Sequence, residues 1–109
     1  MEYSNEYYNY NANLQTNNVE PIQDLCNRVY SFLDEIPRTY KDKKILLVTH
    51  GATARVINTY FNGLSDNGYI ERIPIDNCTI KEFEYSIWFF NHYNKNIIFL
   101  KKLNINKSN

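Results

Sequence analysis

Within the 109 residues, the residue types best placed to do chemistry are those of Thr49-His50-Gly51. His50 follows the apolar run Ile45-Leu46-Leu47-Val48 and precedes a segment with helical periodicity. Ligands of open α/β sheets collect beyond the carboxyl ends of the strands. The first amides of a helix starting there present free N–H groups to an anion. Gly51 places no side chain between that anion and the backbone, so the amides of Gly51 and Ala52 are candidate phosphate contacts. His50, when protonated, can donate a charge-assisted hydrogen bond to a phosphoryl oxygen. A lone histidine after a strand is more often structural, and His-Gly alone is a weak signal.

The remaining polar candidates form no second constellation. Cys26, His50, Cys78 and His92 match no metal-ligand spacing, and two cysteines are too few for a disulfide framework. No metal and no cofactor is expected, and both thiols read as reduced. Arg28 and Arg55 fall within helical periodicity and read, with Arg38 and Arg72, as solvated or structural cations. Glu2 and Glu6 read as solvated charges, and Glu20 as a helix-start carboxylate that suits the helix dipole.

Positioning His50 requires a strand, a tight turn and a helix. The run 45–48 lacks alternation, which predicts a strand buried on both faces, as in a parallel sheet. The segment 52–61 is predicted helical, with Val56, Ile57, Tyr60 and Phe61 on one side and Asn62-Gly63 as its stop. Upstream, Ile22, Leu25, Val29, Phe32, Leu33 and Ile36 recur every three or four residues. They predict an amphipathic helix starting at Pro21 and closed near Ile36 by Pro37. The stretch 40–44 reads as a turn, and 64–77 as a loop punctuated by Gly68 and Pro74. Strands are expected over 78–85 and 97–103, with 87–90 in a hairpin or pairing nearby. The first 18 residues show no period and read as a polar leader that stays a loop or orders on a partner. Residues 105–109 read as a polar tail.

Composition excludes several classes. Twelve basic residues balance twelve acidic ones, so nothing favours nucleic acid or an anionic membrane surface as partner. No apolar run approaches the roughly 18 residues of a membrane span, and the N-terminus lacks the basic and apolar regions of a secretory signal. A cytoplasmic protein is expected. Ten Tyr and six Phe must find cover within this chain or against another.

Several segments together carry a family resemblance. Ile45-Leu46-Leu47-Val48-Thr49-His50-Gly51 resembles the second histidine motif of the histidine phosphatase superfamily, the phosphoglycerate mutase-like proteins. The segment Val19-Glu20-Pro21-Ile22-Gln23-Asp24-Leu25-Cys26-Asn27-Arg28-Val29 resembles that family's Glu-started helix with an internal Arg. Tyr60-Phe61-Asn62-Gly63 and Asp76-Asn77-Cys78-Thr79-Ile80 resemble the segments that follow the second histidine in bacterial members. The likeness covers roughly residues 8–85, and more loosely the last strand.

The resemblance implies an α/β fold: an incomplete open sheet with flanking helices, similar to the C-terminal half of the phosphoglycerate mutase-like fold, over residues 19–104. It implies phosphoryl transfer through a phosphohistidine, with a phosphorylated small molecule or phosphoprotein as substrate. His50 carries over as the second histidine, a contact to phosphoryl oxygens. The family's nucleophile sits in an Arg-His-Gly motif, which this chain lacks, and the other histidine, His92, stands in Asn91-His92-Tyr93. No residue here matches the family's phosphate-binding arginines or its acid. The expectation is a truncated chain, inactive alone. Its first strand would be missing from beside 45–48, which invites self-association or an N-terminal half supplied by a separate polypeptide. The alternative is a non-enzymatic interaction module. Substrate identity, and mutase against phosphatase activity, are not legible.

Overall fold

The computed structural model describes residues 5–72, 80–89 and 92–102, with the backbone alone for 87–89 and 92. Expectations placed on Glu2, Pro74, Cys78, Leu103 and the tail lie outside the described residues, as does the segment 76–79. The described chain is mixed α/β. Helix α1 spans Ile22–Thr39, β1 Lys44–Thr49 and α2 Gly51–Asn62. Strands β2 (Ile80–Glu84), β3 (Ile87–Phe89), β4 (His92–Asn94) and β5 (Ile97–Lys102) follow. One open sheet has the order β1-β5-β2, with β1 parallel and β2 antiparallel to β5. Strands β3 and β4 pair antiparallel as a separate two-stranded hairpin, whose second strand the sequence did not indicate.

The apolar stripe of α1 buries Ile22, Leu25, Cys26, Val29, Leu33 and Ile36. These meet Ala54, Val56 and Ile57 of α2, and Phe83, Ile98 and Leu100 of the sheet, in one core. Much of the aromatic load finds its cover here. Phe61 stacks on Phe83 at 4.8 Å, and its ring meets Tyr60 and Tyr85 edge-on, geometries that aromatic quadrupoles favour.

Helix α1 does not close at Ile36. Pro37 lies inside it. Proline there leaves the Leu33 carbonyl without its helical N–H partner. The hydroxyl of Tyr85 donates to that carbonyl at 2.7 Å, so the helix carries its proline without a buried orphan. The helix ends at Tyr40, whose N–H donates to the Ile36 carbonyl.

The strand β1 is not buried on both faces. Ile45, Leu47 and Thr49 turn toward the helices, whereas Leu46 and Val48 are 56% and 52% exposed. The register carries this second face across the sheet: Leu46 lies beside Phe99, and Val48 beside Lys101, which in turn neighbours Ile80. Ile80 is 50% exposed. Both helices occupy the opposite face, so a continuous apolar run marks a strand suited to two covered faces, of which one is covered here.

The leader carries more structure than its sequence suggested. Asn5–Tyr8 form a 3-10 turn with Tyr7 and Tyr8 buried. Asn9 bridges Tyr69, the Tyr10 N–H donates to the Gly68 carbonyl, and the Ile70 N–H to the Tyr8 carbonyl. Gly68 has φ +82°, so a side chain at this position meets backbone strain, and its Cβ would also push the Asn11 amide aside from 2.8 Å.

Candidate functional site

The carboxyl ends of β1 and β5 lie side by side because their amino ends are pinned. The Ile97 N–H donates to the Lys43 carbonyl. Asn96, fully buried, accepts from the Lys43 N–H at 2.9 Å and donates to the Tyr40 carbonyl. Asn94, also buried, accepts from the Asp42 N–H and donates to the carbonyls of Pro37 and Tyr40. Asp42 accepts from the Lys95 N–H at 2.8 Å, which, with Lys41 beside it, holds its carboxyl below the usual range. Buried amides with several bonds each tolerate little displacement. They fix the parallel register in which Thr49 is the neighbour of Lys102.

His50 follows Thr49 at the end of β1 and is the N-cap of α2 in an extended conformation (φ −92°, ψ 172°). Its side chain is exposed and makes no capping bond to the helix. Its carbonyl accepts the first helical bond, from Ala54 N–H. The first turn of α2 contains no acidic residue. The amides that open α2, including those of Gly51 and Ala52, are therefore left without a side-chain acceptor from the cap position, as an anion-binding helix start requires. The four residues read from sequence as Thr49-His50-Gly51-Ala52 are thus brought to a strand end and a helix N-terminus.

Gly51 does not need glycine for a left-handed conformation, since it is not among the glycines with positive φ. A Cβ on Gly51 would meet Lys102 Cε at 3.6 Å, an ordinary van der Waals contact, so Lys102 lies against this turn without requiring glycine in it. In the sequence Lys102 lies within the strand expected over 97–103 and carries no signal of its own. The parallel register is what brings it here.

The other sequence candidates go elsewhere. Arg28 donates to both carboxylate oxygens of Glu20, at 3.2 and 3.0 Å. That bonding raises the guanidinium pKa and ties the start of α1 to its second turn. Arg55 lies over the Tyr8 ring at 3.4 Å and donates to the Ile70 carbonyl, a structural cation that holds the leader against the 64–70 loop. Arg38 lies 3.9 Å from Glu35. Glu6 accepts from the Tyr69 hydroxyl at 2.7 Å, which lowers its pKa, so it is a tether of the leader. Cys26 is buried in α1, and burial pushes its thiol up to about 11. No group of three or more metal-ligating side chains occurs among the described residues, and no helix among them is long and apolar enough to cross a membrane.

The family model of the histidine phosphatase superfamily, branch 1, matches residues 1–94. The chain belongs to the histidine phosphatase superfamily. The match includes the leader as well as α1, β1, the His50 turn and α2. A curated relative, the 2,3-bisphosphoglycerate-dependent phosphoglycerate mutase of Hamiltonella defensa subsp. Acyrthosiphon pisum (strain 5AT), is 31% identical over 77 residues. That alignment covers 68% of this chain and 31% of the relative, so the chain spans about a third of the length of the mutase it matches. No solved structure gives a significant match. In this histidine phosphatase chain, then, the strand-end histidine sits on a partial sheet of the family's α/β type.

Proposed function

We propose that this chain is the C-terminal part of a phosphoglycerate mutase-like phosphoryl-transfer domain, and that it supplies the second histidine and a helix start for the phosphoryl group. The single observation that carries the reading is His50 at the carboxyl end of β1, capping an α2 whose first turn offers no acidic side chain. A phosphoryl group seated there would receive hydrogen bonds from the Gly51 and Ala52 amides and from the His50 imidazole. In the transition state, charge on the equatorial oxygens grows more exposed to such donors, and preorganised donors lower the barrier.

The chain contains no Arg-His-Gly, so the attacking imidazole comes from polypeptide outside these residues. That polypeptide is also the occupant that the bare sheet suits. The edge of β1 has no strand partner among the described residues, and Leu46, Val48 and Ile80 are at least half exposed. A strand added at β1 would satisfy the edge and bring its own carboxyl end beside His50. The same observation favours a second reading, an interaction module that uses the edge without catalysis. The phosphorylated substrate is a small molecule or a phosphoprotein. Neither nucleic acid nor a membrane is a partner in this reading, the chain works in the cytoplasm, and alone it self-associates.

The test is reconstitution. The chain alone is expected to hydrolyse no generic phosphomonoester above buffer. Supplied with an N-terminal segment bearing Arg-His-Gly, fused or separate, it is expected to turn over and to form phosphohistidine on that segment. His50→Ala is then expected to lower turnover by about two to three orders of magnitude, the loss typical of one transition-state donor. Activity indifferent to His50→Ala would remove His50 from the site. A folded reconstituted species with neither phosphate binding nor turnover would favour the interaction module.

A further inference from the structure

We infer that Asn62 is a site of spontaneous modification, losing its side-chain amide by succinimide formation with the Gly63 nitrogen, while the like pair Asn67-Gly68 is protected by its fold. Two of the chain's three glycines follow an asparagine, and these are the two pairs. A glycine has no side chain to keep its nitrogen from the preceding asparagine. Having given its proton to base, that nitrogen attacks Cγ. The N–Cγ bond forms, the Cγ–Nδ2 bond breaks, and Nδ2 takes up a proton and leaves as ammonia. Water then opens the succinimide, at Cγ to give aspartate or at the backbone carbonyl to give isoaspartate. Overall, water is consumed, ammonia is released and one carboxylate is gained. As dipeptides the two pairs are equal candidates; their surroundings separate them.

The reaction needs two freedoms. The side chain must swing its Cγ onto the following nitrogen, and that nitrogen must leave its own hydrogen bond. Asn62 is the last residue of α2, and both it and Gly63 are exposed. Its Nδ2 makes a solvent-exposed hydrogen bond to Asn58 Oδ1 at 2.8 Å. The Gly63 N–H donates to the Thr59 carbonyl in the last turn of the helix, where fraying costs little. Gly63 has φ +88°, with nothing within 4 Å of a Cβ built there. The helix stop thus favours glycine for its conformation and leaves open space for the ring.

Asn67 sits in a turn closed by the Gly68 N–H, which donates to the Ser65 carbonyl at 2.9 Å. Its Oδ1 accepts the Tyr69 N–H at 3.0 Å and lies 2.6 Å from the Ser65 hydroxyl. Gly68 is buried, and its carbonyl accepts the Tyr10 N–H. Asn11 Nδ2 crowds the same glycine from 2.8 Å. Bringing Asn67 Cγ onto the Gly68 nitrogen therefore opens the turn and pulls the leader from the 64–70 loop. Asn67 stays protected for as long as that contact holds.

The experiment ages the full 109-residue chain at mildly alkaline pH, in buffer and in urea. Peptide mass mapping reads each site. Ion exchange follows the whole chain, since each event adds a negative charge to a formal net charge of zero. In buffer, Asn62 is expected to convert at least about tenfold faster than Asn67, the weight of the extra hydrogen bonds that must open around Asn67. In urea the two are expected to convert at similar rates. Asn62→Gln, at an exposed position, is expected to remove the fast phase and keep the slow one. Equal rates in buffer, or a faster Asn67, would overturn the inference. So would an Asn62 that stays intact in buffer over the time in which the urea-unfolded chain converts.

Discussion

A residue's place in the fold was legible only where it was set locally. The placement of His50 was legible because a branched apolar run, a histidine and a glycine in succession describe a strand end and a helix start without reference to anything distant. The placement of Lys102 was not, because it is set by a neighbour 53 positions earlier in the register, Thr49. Arg55 reads from sequence as a solvated or structural cation, and its partners, the Tyr8 ring and the Ile70 carbonyl, could not be read from helical spacing. Asp42 behaves similarly. Its depressed carboxyl, held first by the Lys95 N–H and then by Lys41, contributes stability that is present above the ordinary carboxylate value of 3.8. That stability is lost as pH falls through the lowered folded-state value. Asp42→Asn is therefore expected to flatten the acid side of the stability profile below about pH 4. Urea unfolding between pH 2 and 5 checks this, and a profile unchanged in slope would deny Asp42 its part.

Among elements, α1 shows how a local rule is overruled from afar. Proline reliably removes a helical hydrogen bond, and sequence reasoning stopped the helix before it. The helix continues because Tyr85, 52 residues away, donates to the orphaned Leu33 carbonyl. Tyr85→Phe is expected to cost about 1–3 kcal/mol, the penalty of an unsatisfied buried acceptor. In a Pro37→Ala background, which restores the helical N–H, the same change is expected to cost well under half as much. Urea denaturation of the four proteins in this double-mutant cycle measures the coupling, and equal costs in both backgrounds would show that Tyr85 acts by packing alone. The strand β1 teaches the converse lesson. Its hydrophobicity marked it correctly as a strand, yet composition cannot count how many faces are covered, and Leu46 and Val48 stand in the open.

For the whole molecule, that open face and edge bear on association in solution. An uncovered parallel strand with apolar residues on its outer side is a template for another chain. The 13.0 kDa protein is expected to scatter light as a species heavier than a monomer, increasingly so with concentration. Leu46→Lys with Val48→Lys is expected to return it to monomer mass with little change in helix content, since neither side chain belongs to the core. A wild type that stays monomeric at every concentration would remove the self-association expected here. The sheet order has one more consequence, which concerns synthesis. The middle strand, β5, is the last of the described strands to be made, and among the described residues both β1 and β2 pair only with it. A ribosome therefore releases the two outer strands, the helix between them and the hairpin before any of the sheet can close. Until Ile97–Lys102 emerges, the histidine turn has a helix but no floor, and the nascent chain depends on whatever shields Leu46, Leu47 and Val48 while it waits.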